Sequence, residues 1–148
     1  MSYIKLSKIL GFTGGFFIAL LGIYVMIWHI LFPDPEWISQ IGRSGQLFFG
    51  FLVSLSFLSL GFLSLTGSFL LKKRPIIGSV LMLIGGIIFI PPWFYLFLNI
   101  KRVITGNLTS QEPLLTTIGN FYYLLCSLPF IAGLIVLINR IYSRFIRK

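Results

Sequence analysis

Acidic residues are nearly absent from this chain: Asp34, Glu36 and Glu112 stand against twelve lysines and arginines. That scarcity excludes paired carboxylates for acid–base work. None of the three lies inside a hydrophobic run, so the buried acid that ion-coupled pumps and proton relays place against a cavity is missing too. Cysteine is down to Cys126 alone, which rules out an internal disulfide and a thiolate metal cluster. Histidine is also single, His29, so haem ligation by two histidines of this chain is impossible. A zinc site needs three or four ligands and has no material here. No P-loop or nucleophile elbow is present. The reading is of a non-enzymatic chain with no catalytic residues, no cofactor and no metal.

Charge is missing in a second way, from four long stretches: 9–33, 44–71, 75–100 and 113–139. Each exceeds the ~20 residues needed to cross a bilayer core of about 30 Å. Hydrophobic residues make up 57% of the chain and charged ones 10%, which removes it from the soluble class. The expected fold is an all-α integral membrane protein. One domain, 1–148, holds four transmembrane helices in an up-down bundle, with spans near 9–32, 46–71, 75–98 and 114–138. An N-terminal run that continues to Phe32 is too long for a signal-peptide core, so a retained first helix is expected.

The net charge of +9 is distributed at the ends of these runs, not over one face, so nucleic acid is not the expected partner. With the Lys72-Lys73-Arg74 turn placed inside, nine cations fall on that side: Lys5, Lys8, these three, Arg140, Arg144, Arg147 and Lys148. Only Arg43, Lys101 and Arg102 fall on the other, together with all three acids. Nine against three puts both termini in the cytoplasm, and the expected location is the plasma membrane. Anionic headgroups on the cytoplasmic side are the expected lipid contact.

Small residues lie on particular faces of the helices. Gly11, Gly15 and Gly22 share a face of helix 1 with Ala19 alongside. On helix 2, Gly50, Ser54, Gly61, Ser64 and Ser68 form one small face; Ser56, Ser59, Thr66 and Gly67 form another. Phe51, Leu55, Leu58, Phe62, Leu65 and Phe69 make a bulky stripe toward lipid. Two small faces predict two neighbours for helix 2. Packing, with each hydroxyl bonded to its own i−4 carbonyl, is preferred over a serine-lined polar pathway. Gly78, Met82, Gly85 and Phe89 share a face of helix 3; Gly119, Cys126 and Gly133 share one of helix 4, with Tyr123 beside them. Pro91-Pro92 should kink helix 3, and Pro129 is a second kink candidate, in helix 4.

In helical phase, His29 lines up with the glycines of helix 1 and should face the bundle. At its outer level the sequence places Trp93, Tyr95, Asn99, Tyr122 and Tyr123, a candidate outer pocket or partner contact. An interfacial histidine bonded to a tyrosine or a carbonyl is the preferred reading. Residues 33–43 form a loop in which Trp37-Ile38-Ser39-Gln40-Ile41 can make a short interfacial helix. Asn107-Leu108-Thr109 is a glycosylation sequon on the expected outer side. Neither the intramembrane glutamate of small multidrug exporters nor the Cys-x-x-Cys of quinone-linked thiol oxidoreductases is present. The expected function is an accessory or structural membrane subunit, assembled with itself or with a larger complex. The alternative is a small transporter or channel for a neutral or lipid-like solute.

Overall fold

The structure, a computed structural model, describes residues 3–89 and 113–146. These described residues are all-helical, with four α-helices among them: α1 Tyr3–Leu31, α2 Pro35–Leu70, α3 Pro75–Gly86 and α4 Pro113–Ile146. Three helices are long and apolar enough to cross a membrane, which marks a multi-pass membrane protein. The described part of the third, Pro75–Phe89, is 15 residues, or about 22 Å, and so falls short of a full crossing.

Helix ends follow local chemistry more than hydrophobicity. The helical region of α1 extends outward past Lys8 and Lys5 to Tyr3. At the other end Pro33 lacks the N–H that another turn needs, and Asp34 restarts the chain as an N-cap. Its Oδ1 accepts from Glu36 N at 2.9 Å and Trp37 N at 3.4 Å, and Pro35 takes the first helical turn, where no donor is required. The short helix expected around Trp37 is present, and Gly42 (φ 74°, ψ 165°) breaks it from the rest of α2. That backbone region is open to glycine and very little else. In a straight helix Trp37 and Phe49 would stand about 18 Å apart along the axis. Their ring centroids are 5.0 Å apart, so the break at Gly42 turns the short helix back onto the flank of α2.

In α3 the α-helical ladder gives way to a 3-10 turn at Ile87–Phe89. The change falls four residues before Pro91, whose missing N–H cannot serve the Ile87 carbonyl. The expected kink at Pro91-Pro92 itself lies outside the described residues.

Close glycine contacts define the packing order. A β-carbon on Gly15 would sit 3.1 Å from Gly61 O, and one on Gly61 would sit 2.8 Å from Ala19 N. Further along the same pair, Gly22 meets the backbone of Ser54, so α1 and α2 run antiparallel at near-minimal separation. Gly67 and Gly78 each lie against the other's carbonyl, where an added β-carbon would come within 2.6 Å, joining α2 to α3. Gly86 against Phe130 N and Gly133 against Ser79 O join α3 to α4. Gly14 against Pro129 and Leu125 closes the ring from α1 to α4. The four described helices thus form an up-down bundle in chain order around the ring.

The interior is unusually polar and small. Among the described residues, seven buried hydrophobic ones, Ile18, Leu71, Met82, Phe89, Cys126, Ala132 and Val136, are matched by seven buried polar ones. Those are Ser7, Gln46, Ser54, Ser64, Ser68, Ser79 and Ser127. Large apolar side chains such as Phe51, Leu55, Phe62 and Phe69 point outward instead. That inversion suits a bilayer, where lipid is as apolar as leucine and close backbone approach drives association.

Candidate functional site

The small face of α2 lies inside as its phase requires: Gly50, Ser54, Gly61, Ser64 and Ser68 are all buried. So are Gly11, Gly15 and Gly22 on α1, Gly78, Met82 and Gly85 on α3, Phe89 in the 3-10 turn that follows it, and Cys126 and Gly133 on α4. The surroundings of Gly119 and Tyr123 lie outside what is described. The hydroxyls mostly serve backbone carbonyls. Ser54 donates across the interface to Gly22 O at 2.6 Å, whereas Ser68 and Ser127 donate to Leu65 O and Leu124 O, each at 2.7 Å. Among the described residues Ser64 Oγ finds no hydrogen-bond partner; it occupies the space that a β-carbon on Gly85 would need.

The second small face of α2 needs correction. Gly67 is buried against α3, but among the described residues Ser56, Ser59 and Thr66 are exposed. The phase error is physical: Gly67 lies about 100° from Thr66, enough to separate a covered residue from an open one. Ser56 and Ser59 donate to Leu52 O at 2.9 Å and Leu55 O at 2.8 Å, the i−4 bonds that packing implies. In the bulky stripe, Leu58 and Leu65 are half-buried while its phenylalanines are exposed.

The proposed polar-aromatic cluster is also redistributed. His29 does face the bundle. Its ring lies over Gly50, where an added β-carbon would be 2.5 Å from the ring, and Nδ1 pairs with Val25 O at 2.8 Å. Tyr122 is elsewhere. Its hydroxyl donates to Phe17 O at 2.5 Å, and its ring meets Phe17 edge-on at 5.7 Å between centroids. Phe17 lies twelve residues before His29, about 18 Å down the same helix. His29 and Tyr122 therefore occupy different levels and form no common pocket. Trp93, Tyr95 and Asn99, and the sequon at Asn107, lie outside the described residues.

Two features, one at the His29 end and one far down the bundle, were not anticipated. Arg43 donates to Ile30 O at 2.7 Å and to Gln46 Oε1 at 3.0 Å. It closes a free carbonyl at the C-terminus of α1, where a cation also complements the helix dipole. Further down, Pro129 deprives Leu125 O of its usual donor, and that oxygen lies 2.8 Å from where a β-carbon on Gly14 would be. The orphan carbonyl thus faces bare glycine backbone, an arrangement that only pairing the two helices could reveal.

At the opposite end the antiparallel topology brings together Lys5 and Lys8, the Lys72-Lys73-Arg74 turn, and Arg140, all exposed. The turn is rigid: Lys73 N and Arg74 N both donate to Leu70 O, at 3.0 and 2.7 Å, and Gly78 N donates to Arg74 O at 2.9 Å. Among the described residues, no three of His, Cys, Asp and Glu come together as a metal site would need. Comparison with protein-family models, curated proteins and solved structures gives no match for the chain.

Proposed function

We propose that this chain is a non-enzymatic membrane subunit that assembles with copies of itself or within a larger membrane complex. It crosses the bilayer four times with both termini in the cytoplasm, the arrangement supported by the nine-to-three division of cations. The observation that carries the assembly reading is the uncovered flank of α2. Ser56, Ser59 and Thr66 form a small hydroxyl-bearing strip exposed among bulky neighbours such as Leu52, Leu55 and Phe62. Inside the bundle, comparable strips receive another helix at backbone contact. The same geometry left open on the outside suits a helix from a second chain.

Cross-linking in native membranes followed by mild-detergent purification tests this. The chain should travel as an oligomer or with partner proteins, and Ser59→Leu with Thr66→Leu should shift it toward monomer while leaving its thermal stability unchanged. A clean monomer from native membranes would remove the proposal.

A further inference from the structure

We infer that the basic end of the bundle is a binding surface for anionic phospholipid headgroups, built from the Lys72-Lys73-Arg74 turn and the projecting last turns of α4. The inference deepens the membrane reading above and shares only its premise that the bundle sits in a bilayer.

Three observations converge. First, the cations at this end have no internal counter-charge among the described residues. Among the described residues, Lys5, Lys72, Lys73, Arg74 and Arg140 make no side-chain hydrogen bond or ion pair, and Lys8 only lies over the Phe69 ring, 5.5 Å from its centroid. The described acids, Asp34 and Glu36, are at the far end of α1 and α2. Second, the turn cannot relieve the repulsion by moving, because its backbone is tied to the ends of α2 and α3. Three adjacent cations held in place without an anion leave a fixed positive field.

Third, α4 carries an apolar strip past the bundle. Val136 packs in one cluster with Leu71 and with Ile4 near the start of α1. From that level α4 continues ten residues to Ile146, about 15 Å. Along this projection Ile138, Ile141 and Tyr142 are 61%, 55% and 65% exposed. Their i, i+3, i+4 spacing puts them on one side, with Arg140 on the other. An apolar strip beside unpaired cations matches the boundary of headgroup and acyl chain. A soluble polyanion would use the cations and leave the strip in water. Lipid satisfies both.

The test reconstitutes the full chain, one copy per nanodisc, in phosphatidylcholine with either spin-labelled phosphatidylglycerol or spin-labelled phosphatidylcholine. Electron paramagnetic resonance then compares how much of each label is held at the protein surface. Each cation near the surface is worth about a fivefold preference at low salt, so phosphatidylglycerol should be retained well above phosphatidylcholine. The preference should vanish near about 1 M salt, where the screening length is about 3 Å. The triple variant Lys72→Gln, Lys73→Gln, Arg74→Gln removes three such factors and should lower it by up to about a hundredfold. If that variant fails to insert, the salt titration of the unaltered chain decides the matter. Equal retention of both lipids at low salt, or a preference indifferent to salt, would overturn the inference, as would tight binding of inorganic polyphosphate with no lipid selectivity. With one copy per disc, none of these outcomes depends on whether the chain self-assembles.

Discussion

The two ends of the bundle use cations in opposite ways. At one end Arg43 is engaged within the molecule, donating to the Ile30 carbonyl near the end of α1 and to the buried Gln46 side chain. At the other, Lys72, Lys73 and Arg74 are exposed on a turn whose backbone needs no help from them. The first end is held by side chains, with His29 laid over Gly50 and the chain reversed at Gly42. The second is held by backbone, with Gly67 and Gly78 at each other's carbonyls. Charge counting treats all four cations alike. Packing separates an arginine that holds helices together from three cations presented to the surroundings.

The largest effect should come from adding one methyl group at each end. Gly78→Ala sets a β-carbon 2.6 Å from Gly67 O and 2.9 Å from Leu71 N, and backbone on both sides cannot step aside. About 3 kcal/mol of stability should be lost. Gly50→Ala meets the His29 ring at 2.5 Å and the His29 β-carbon at 2.7 Å; rotation clears the ring but not the β-carbon, so the variant should lose about 2 kcal/mol. Thermal unfolding in nanodiscs measures both; equal losses would show that the two ends are held in the same way.

Exchanging the cations sharpens the same contrast at a smaller scale. Arg43→Ala strands Ile30 O and Gln46 Oε1 and should destabilise by about 2 kcal/mol, since hydrogen bonds from charged donors are the stronger kind. Lys73→Ala, at an exposed site with no partner among the described residues, should stay within about 0.5 kcal/mol. Denaturant titrations of the two variants side by side give the difference directly. A loss at Lys73 matching that at Arg43 would mean the basic turn also supports the fold.

Much of this architecture was legible from residue order. Hydrophobic runs located the helices, and the 100° phase placed Gly15, Ser54, Gly61, Ser64 and Gly85 on buried faces, because in lipid small residues mark where backbones meet. What stayed hidden depends on pairs of helices or on backbone angles. Nothing in the spacing of Gly14 and Pro129 shows that the proline ring and the orphaned Leu125 carbonyl lie against that glycine. Gly42 reads as one more loop glycine until its φ of 74° and the Trp37–Phe49 contact show a reversal. The grouping of Tyr122 with His29 failed for a related reason. Residue order alone does not fix depth along α4, whereas the Tyr122 hydroxyl is placed by the Phe17 carbonyl that it reaches.

That tyrosine supplies the smallest test, midway between the ends. Tyr122→Phe removes the hydroxyl that donates to Phe17 O but keeps the ring that meets Phe17 edge-on. Hydrogen bonds between membrane helices average about 0.6 kcal/mol, because the separated helices also find partners for their polar groups. Phe17 O also keeps its helical donor, so the variant should lose about that much and no more. A loss of this size places the α1–α4 contact with the backbone-held end, where geometry and not any single side chain sets the strength. A loss near that of Arg43→Ala would instead make Tyr122 a second side-chain clasp, and the division between the two ends would no longer describe how the bundle is held.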